Sequence, residues 1–181
     1  MMKIIFLDVD GPLIPLRLHK STGGHLFKYD MLGGYYVWDP VFVQALNDHC
    51  PPQNIKLVFN SAHNINGSSI LRSTAAANKL NPSLLHNDTC TKYPDMVNKV
   101  DAIYDWLHRN VPLGDSCKWM TVDDFDLPIG NHLVNCSLQN GMTVNLIDKL
   151  FGSLLLQDRP TKSLNIVYYN EANTGDPKIY G

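Results

Sequence analysis

The sequence lacks both long hydrophobic runs and closely spaced cysteines. Before Asp8 the apolar run Ile4–Leu7 has only four residues, which is too short for a signal-peptide core, and no later stretch approaches a membrane span. The four cysteines contain no C-x-x-C pair, so the spacing favours isolated, reduced and mostly buried thiols over a zinc cluster or a disulfide framework. We therefore expect a cytoplasmic protein without a membrane segment.

The sequence also lacks a large excess of positive or negative charge. The 181 residues carry a formal net charge of -2, with 18% charged and 44% hydrophobic residues, the balance of an ordinary globular chain. No large positive field is available to attract a nucleic-acid backbone, although a local basic patch is compatible with this total. The length suits one domain with a substantial core. The sequence carries no signal for an oligomeric state.

Short apolar runs alternate with helix-like stretches, which predicts an α/β fold. Such alternation is typical of a mainly parallel sheet covered by helices on both faces, a three-layer architecture. The predicted strands are Lys3–Leu7, Ile55–Phe59, Lys118–Val122, His132–Cys136 and a weaker Leu84–His86. The predicted helices are Pro40–His49, capped by Asp39, then Ser68–Leu80, Pro94–Arg109 and Thr143–Phe151, capped by Thr143.

Two segments depart from this alternation. Residues 16–39 are rich in glycine and aromatic residues and predict a hairpin flap. Its aromatic rings either stack on a planar ligand or, as with Tyr36 and Trp38, pack over the sheet edge. Residues 157–181 contain a predicted strand, Leu164–Tyr169, and a loose tail. We therefore expect a core over residues 1–156 that includes the flap, followed by a C-terminal segment, with no room for a large cap domain.

Polar residues follow three of the predicted strands. Asp8 and Asp10 come after the first strand, Asn60 and Ser61 after the second, and Asp123 and Asp124 after a later one. In parallel sheets, ligands bind at the edge formed by the carboxyl ends of the strands. Asp8 and Asp10 are alternate residues and face the same side. Their mutual repulsion calls for Mg²⁺ or a shared proton, although acid pairs at strand ends also serve as caps and turns.

Three further side chains are candidates for contact with a phosphate group. Ser61 either binds phosphate oxygens with its hydroxyl or caps the following helix. Lys99, near the start of a helix, either neutralises a phosphate or is a solvated surface lysine. His63 is the one histidine of seven whose position, two residues after Ser61, suggests contact with substrate. Asn60 is grouped with these three as a candidate phosphate ligand.

The order of these residues resembles the four motifs of the haloacid dehalogenase (HAD) superfamily of phosphatases. FLDVDG, the strand ending in Ser61, the helix KVDAIYDWL, WMTVDD and NGMT are most similar to the small HAD domains of Swiss Army knife RNA repair proteins. The resemblance implies a Rossmann-like HAD core, Asp8 as nucleophile and Asp10 as general acid and base. It also implies phosphate binding by Ser61 and Lys99, and a Mg²⁺ site at Asp8 and Asp10 that Asp123 or Asp124 completes. Pro12, Ala62 and His63 depart from the family's usual residues.

The substrate follows less directly from these motifs. A site without a large cap suits an exposed phosphate on a large substrate, and the acidic pI favours a phosphoprotein, with phosphotyrosine suited to aromatic walls. A nucleic-acid end or a nucleotide is the alternative substrate. A phosphate-binding module with weak catalysis is the alternative function, although a degenerate homologue would usually have lost Asp8 or Asp10, and both are present.

Overall fold

The computed structural model describes residues 1–21, 27–30 and 33–156. Five parallel strands form the main sheet, in the order β5-β4-β1-β6-β7, and helices cover it on both sides. The strands are β1 (Met2–Leu7), β2 (Phe27–Asp30), β3 (Gly33–Tyr36), β4 (Ile55–Phe59), β5 (Leu85–Cys90), β6 (Cys117–Asp123) and β7 (Leu133–Asn135). The helices are α1 (Leu16–Ser21), α2 (Pro40–Gln53), α3 (Ser68–Ala77), α4 (Lys99–Asn110) and α5 (Val144–Leu156).

The central strand β1 is apolar on both of its faces. Ile5 and Leu7 belong to the core cluster under α2, α3 and α5, whereas Ile4 and Phe6 belong to the cluster under α4. All four are fully buried, and each such side chain contributes roughly 1.5–3 kcal/mol on leaving water. A strand covered on both faces reads as a continuous apolar run. The predicted three-layer α/β architecture is confirmed.

Helix α2 begins as the sequence predicts. The Asp39 carboxylate accepts a hydrogen bond from the Val41 amide at 3.0 Å, and Pro40 occupies the first turn. The helix runs past the predicted end at His49 to Gln53, including Pro51 and Pro52, and stops at Asn54 in the left-handed conformation with φ of 54°. Thr143 likewise accepts from the Leu146 amide at 3.4 Å, as expected for the cap of α5.

The predicted helix Pro94–Arg109 corresponds to α4, and its predicted start at Pro94 is wrong. Helix α4 begins at Lys99, because the Asn98 side chain accepts a hydrogen bond from the Val100 amide at 2.8 Å and caps it there. Val97 continues the apolar periodicity of the helix in the sequence, but it is 98% exposed. Lys99 is therefore the first residue of the helix, at its N-terminal end.

The flap contains an antiparallel hairpin, in which Phe27 pairs with Tyr36 and Asp30 with Gly33. Asn78, which directly follows α3, connects to it by donating to the Tyr36 carbonyl at 2.7 Å and accepting from the Trp38 amide at 2.8 Å. Trp38 is buried against Phe59, so this ring packs over the sheet. The short helix α1 was not predicted. Within the described ranges there is no large cap, and the predicted strand Leu164–Tyr169 lies outside them.

Two expectations from the sequence concern thiols and membranes. All four cysteines lie in the described part of the chain and are free thiols, as expected. Burial raises the pKa of Cys50 and of Cys117 to about 12, so these thiols stay protonated. No helix among the described residues is both long enough and apolar enough to cross a membrane.

Candidate active site

Three strands end side by side at the carboxyl edge of the sheet. Leu7 of β1 pairs with Phe59 of β4 and with Val122 of β6. The residues that follow remain in register, since the Asp8 amide donates to the Val122 carbonyl at 3.0 Å and the Asn60 amide donates to the Leu7 carbonyl at 2.8 Å. The parallel register therefore brings Asp8, Asn60 and Asp123 together.

Gly11 allows the chain after β1 to turn back against β6. Its φ of +80° lies in the left-handed region, and a Cβ atom there would lie 2.7 Å from the Asp124 Cβ. Glycine alone satisfies both the backbone conformation and this close approach. The turn brings the FLDVDG segment against the second acid pair.

Three carboxylates converge at this edge. Asp8, Asp123 and Asp124 each offer one oxygen, and these atoms all lie within 4.8 Å of one another. Asp8 and Asp123 are buried and Asp124 is half-buried. Burial, and then the charge of Asp8, raise the pKa of Asp123 and of Asp124 above the ordinary aspartate value. A nearby positive charge would therefore stabilise the ionised form of these carboxylates.

Lys99 supplies one positive charge to this cluster. Its Nζ donates to Asp8 Oδ2 at 2.6 Å and to Asp123 Oδ2 at 2.8 Å. Burial opposes the charge of the ammonium, but the two carboxylates raise the pKa of Lys99 above its ordinary value. Lys99 is therefore a buried cation held by two acids, and the surface-lysine interpretation is wrong.

The remaining acidity fits a divalent cation. One ammonium among three carboxylates leaves an excess of negative charge, and Asp124 Oδ1 is buried without a hydrogen-bond partner among the described residues. Carboxylate oxygens are the ligands that Mg²⁺ prefers. Asp8, Asp123 and Asp124 are thus the residues that fit a metal ion.

Asp10 lies apart from these three acids and pairs with His63. Its side chain is 55% exposed, and the His63 Nε2 lies 3.3 Å from both of its carboxylate oxygens. The hydrogen bond to His63 lowers the pKa of Asp10, and the same bond raises the pKa of His63. The Tyr36 ring of the flap meets the His63 ring edge-on, with 5.1 Å between centroids. His63 therefore orients the Asp10 carboxylate at the mouth of the site.

Asn60 and Ser61 are fully buried at the end of β4. The Asn60 side chain accepts from the Thr91 hydroxyl at 2.7 Å and donates to the Lys99 carbonyl at 3.4 Å, which fixes the start of α4. Ser61 Oγ accepts from the His63 amide at 3.4 Å and caps the 3₁₀ turn Ala62–Asn66. Both residues support the site, and their binding of phosphate stays a prediction.

A pocket of about 300 Å³ opens at this edge. Its walls include three residues that were not singled out in the sequence: Tyr93, Phe125 and Leu138. Phe125 directly follows the second acid pair, and its amide donates to Asp123 Oδ1 at 3.0 Å, so its adjacency to that pair was the available signal. Tyr93 and Leu138 lie in loops without periodicity, where no such signal exists. The other lining residues are Asp8, Asp10, Ala62, Lys99 and Asp124.

Comparison with known proteins agrees with this geometry. The family described as "HAD domain in Swiss Army Knife RNA repair proteins" matches residues 4–147, which span β1 through the first turn of α5 and contain every acid of the site. No curated protein and no solved structure matches the chain significantly. The HAD superfamily generally uses Mg²⁺. The chain belongs to the HAD-domain family of Swiss Army Knife RNA repair proteins.

Proposed function

We propose that the protein is a Mg²⁺-dependent phosphomonoester hydrolase that acts through a phosphoaspartate on Asp8. Family membership supports a HAD-type hydrolase. The observation that carries the finer proposal is the convergence of Asp8, Asp123 and Asp124 around an unpartnered carboxylate oxygen, with Lys99 bonded to the first two. This arrangement supports the proposal, because Asp8 has a positive charge beside it and two further carboxylates that can bind a divalent ion.

In the first step, a carboxylate oxygen of Asp8 attacks the phosphorus atom in line with the ester bond. The bond from phosphorus to the leaving oxygen breaks, and the electron pair goes to that oxygen. Asp10 passes to it the proton that His63 and Asp10 hold between them, because this pair lies at the mouth where the leaving group departs. The products of this step are the free alcohol or phenol and an acyl phosphate on Asp8.

In the second step, water hydrolyses the acyl phosphate. Asp10, now ionised, takes a proton from the water as its oxygen attacks phosphorus. The bond between phosphorus and the Asp8 oxygen breaks, which releases inorganic phosphate and restores the carboxylate. Asp10 is then protonated again for the next turnover.

Positive charge lowers the barrier of both steps. Lys99 faces Asp8 and offsets the repulsion between this carboxylate and a dianionic phosphate. A Mg²⁺ ion held by Asp8, Asp123 and Asp124 supplies charge neutralisation when bound. Asn60 holds the backbone from which Lys99 projects, so it sets the position of the ammonium.

The open edge favours an exposed phosphate on a large substrate. No large cap covers the pocket among residues 1–21, 27–30 and 33–156, so a protein surface can approach the acids. We propose a phosphoprotein as the substrate, with phosphotyrosine as the side chain that reaches the pocket.

The test is hydrolysis of p-nitrophenyl phosphate by the purified chain. We expect turnover that depends on Mg²⁺, is lost on chelation and falls by at least about 10⁴-fold in Asp8→Asn. Asp105→Asn is the matched control, because Asp105 lies on α4 outside the pocket, and it should retain wild-type turnover. Metal-independent turnover, or full activity in Asp8→Asn, contradicts the mechanism. Absence of turnover on every phosphomonoester offered favours the phosphate-binding module.

A nucleic-acid end is the second candidate substrate, and the family description favours it because its proteins are RNA repair proteins. Oligonucleotides with a 3′- or 5′-phosphate, compared with phosphotyrosine and phosphoserine peptides at equal concentration, separate the two. A kcat/KM higher for the oligonucleotides replaces the phosphoprotein proposal and leaves the catalytic mechanism intact.

A further inference from the structure

Two aromatic rings lie at the mouth of the pocket without a role in the core. Phe125 is 64% exposed although it directly follows the buried Asp123 and the half-buried Asp124. Tyr93 lines the same pocket from the loop before α4. Neither residue belongs to the two core clusters of the described residues. Exposure of a large aromatic ring to water is unfavourable, and a ligand that covers the ring removes this cost.

Both rings lie close to the ammonium group of Lys99. The Lys99 Nζ lies 5.2 Å from the centroid of Phe125 and 5.6 Å from that of Tyr93, both within the range of a cation–π contact. A phosphate bound at this ammonium therefore has an aromatic ring beside its first ester atoms. Leu138 adds a third apolar wall.

The dimensions of the pocket favour a small planar group. Its volume of about 300 Å³ is at the lower limit for ligand sites, which suits a phosphate together with one ring. In a nucleic-acid end, the ester oxygen is attached to a tetrahedral sugar carbon and the base lies farther away, so these walls would contact the sugar. The acid at the mouth, Asp10, also repels the neighbouring phosphodiesters of an oligonucleotide.

We propose that Tyr93 and Phe125 bind the leaving group of an aryl phosphomonoester, a substrate whose ester oxygen is attached directly to one aromatic ring. The inference rests on the proposed hydrolase function and specifies its substrate class. Phosphotyrosine in an exposed segment of a protein has this chemistry. The rings determine specificity, whereas Asp8, Asp10 and Lys99 act on the phosphate.

The experiment compares how one substitution affects two classes of substrate. Phe125→Ala keeps the backbone amide that bonds Asp123 and removes an exposed ring together with its cation–π contact to Lys99, a contact whose loss affects both substrate classes alike. We expect kcat/KM to fall about tenfold for phenyl phosphate and for a phosphotyrosine peptide, mainly through KM. For glycerol phosphate and the matching phosphoserine peptide, the loss should be at least fivefold smaller. Because each variant is compared with wild type on the same substrate, the higher intrinsic reactivity of aryl esters cancels.

Two further variants separate ring binding from a structural effect. Phe125→Tyr should restore most of the aryl activity, since it restores a flat ring. Ile65→Ala is the matched control, because Ile65 is 76% exposed in the neighbouring 3₁₀ turn and does not line the pocket. It should leave both substrate classes unchanged. Tyr93→Leu, which changes the second ring of the lining, should repeat the selective loss.

Each other outcome is decisive. Equal losses on aryl and alkyl substrates, or no loss at all, overturn the aryl-binding role and leave the hydrolase proposal intact. A larger loss on phosphorylated oligonucleotides than on aryl phosphates also overturns it, in favour of contact with a nucleobase. Absence of wild-type turnover on the whole panel overturns the proposed function itself.

Discussion

A cation at each end of helix α4 contacts two carboxylates, and the contact distances at the two ends are the same. At the start, Lys99 lies 2.6 Å from Asp8 and 2.8 Å from Asp123. At the end, Arg109 lies 2.6 Å from Asp88 and 2.8 Å from Asp105. The distances to the bridging cation therefore do not distinguish the two clusters, although in the second Lys92 also contacts Asp105 at 3.3 Å.

Burial separates them. The side chains of Lys99, Asp8 and Asp123 are 10%, 5% and 0% exposed, whereas those of the Arg109 cluster are 25–35% exposed. Water and salt weaken the second cluster far more than the first. The helix dipole adds to the contrast, because it favours a cation at the C-terminal end and disfavours one at the N-terminal end. The position of Arg109 is therefore favourable for the helix. That of Lys99 is unfavourable for the helix, and its contacts with Asp8 and Asp123 compensate.

The largest expected effect is on catalysis at the buried end. Lys99→Met retains the length of the side chain and removes the charge beside Asp8. We expect turnover of p-nitrophenyl phosphate to fall by about 10²–10³-fold, measured at saturating Mg²⁺. Arg109→Met, the equivalent change at the other end of α4, should keep wild-type turnover. Equal losses in the two variants would contradict the assignment of separate roles.

The second effect is on stability at the same end. Lys99→Met leaves Asp8 and Asp123 buried without their shared cation, and breaking such a buried pair costs about 3–5 kcal/mol. Urea denaturation without metal should show this loss in the free energy of unfolding. Addition of Mg²⁺ should stabilise the variant, since the ion binds the folded state at these carboxylates. A variant as stable as wild type without metal would show that Lys99 does not hold the acids.

The third effect is the smaller loss at the exposed end. Arg109→Met should lower the free energy of unfolding by about 0.2–1 kcal/mol. The difference from wild type should shrink as salt is raised to 1 M, because exposed pairs are screened. A loss as large as that of Lys99→Met, or one insensitive to salt, would remove the distinction based on burial.

The smallest expected effect is on how steeply the stability of the protein falls at acidic pH. Burial opposes ionisation of Asp105, but Arg109 and Lys92 lower its pKa below the ordinary value. A lowered pKa in the folded state stabilises the protein above about pH 4 and loses this contribution as the pH falls further. In Asp105→Asn, stability should therefore decrease less steeply below pH 4 than in wild type, measured by thermal unfolding between pH 3 and 6. An unchanged acid slope would show that the pair does not affect the pKa of Asp105.

The sequence predicted features that depend on local rules or on strand edges. The Asp39 cap of α2 and the apolar run of β1 are local, and the carboxyl-edge rule placed Asp8 beside Asp123 although over a hundred residues separate them. The start of α4 was wrong because the Asn98 cap outweighs an apolar periodicity that includes the exposed Val97.

Other contacts of the site depend on tertiary structure alone. His63 meets Asp10 only because β4 and β1 are neighbours. Lys99 reaches Asp8 only because Asn98 starts the helix beside β1, and the sequence indicated this role through the family resemblance rather than through its residues. Tyr93 was not predicted because loop residues follow no period, and Phe125 was missed although its position directly after the second acid pair was a signal. Pair contacts between distant loops need the register of the whole sheet.

The strand order has a consequence for the newly made chain. β1 is synthesised before its neighbour β6, which ends at Asp123, more than a hundred residues later. At roughly 5–20 residues per second, about 5–20 s pass on the ribosome before the central strand acquires its second partner. Throughout that interval the edge of Ile4–Leu7 that pairs with β6 lacks its partner strand. The protein's requirement for chaperones should therefore be greatest during synthesis, before its second acid pair exists.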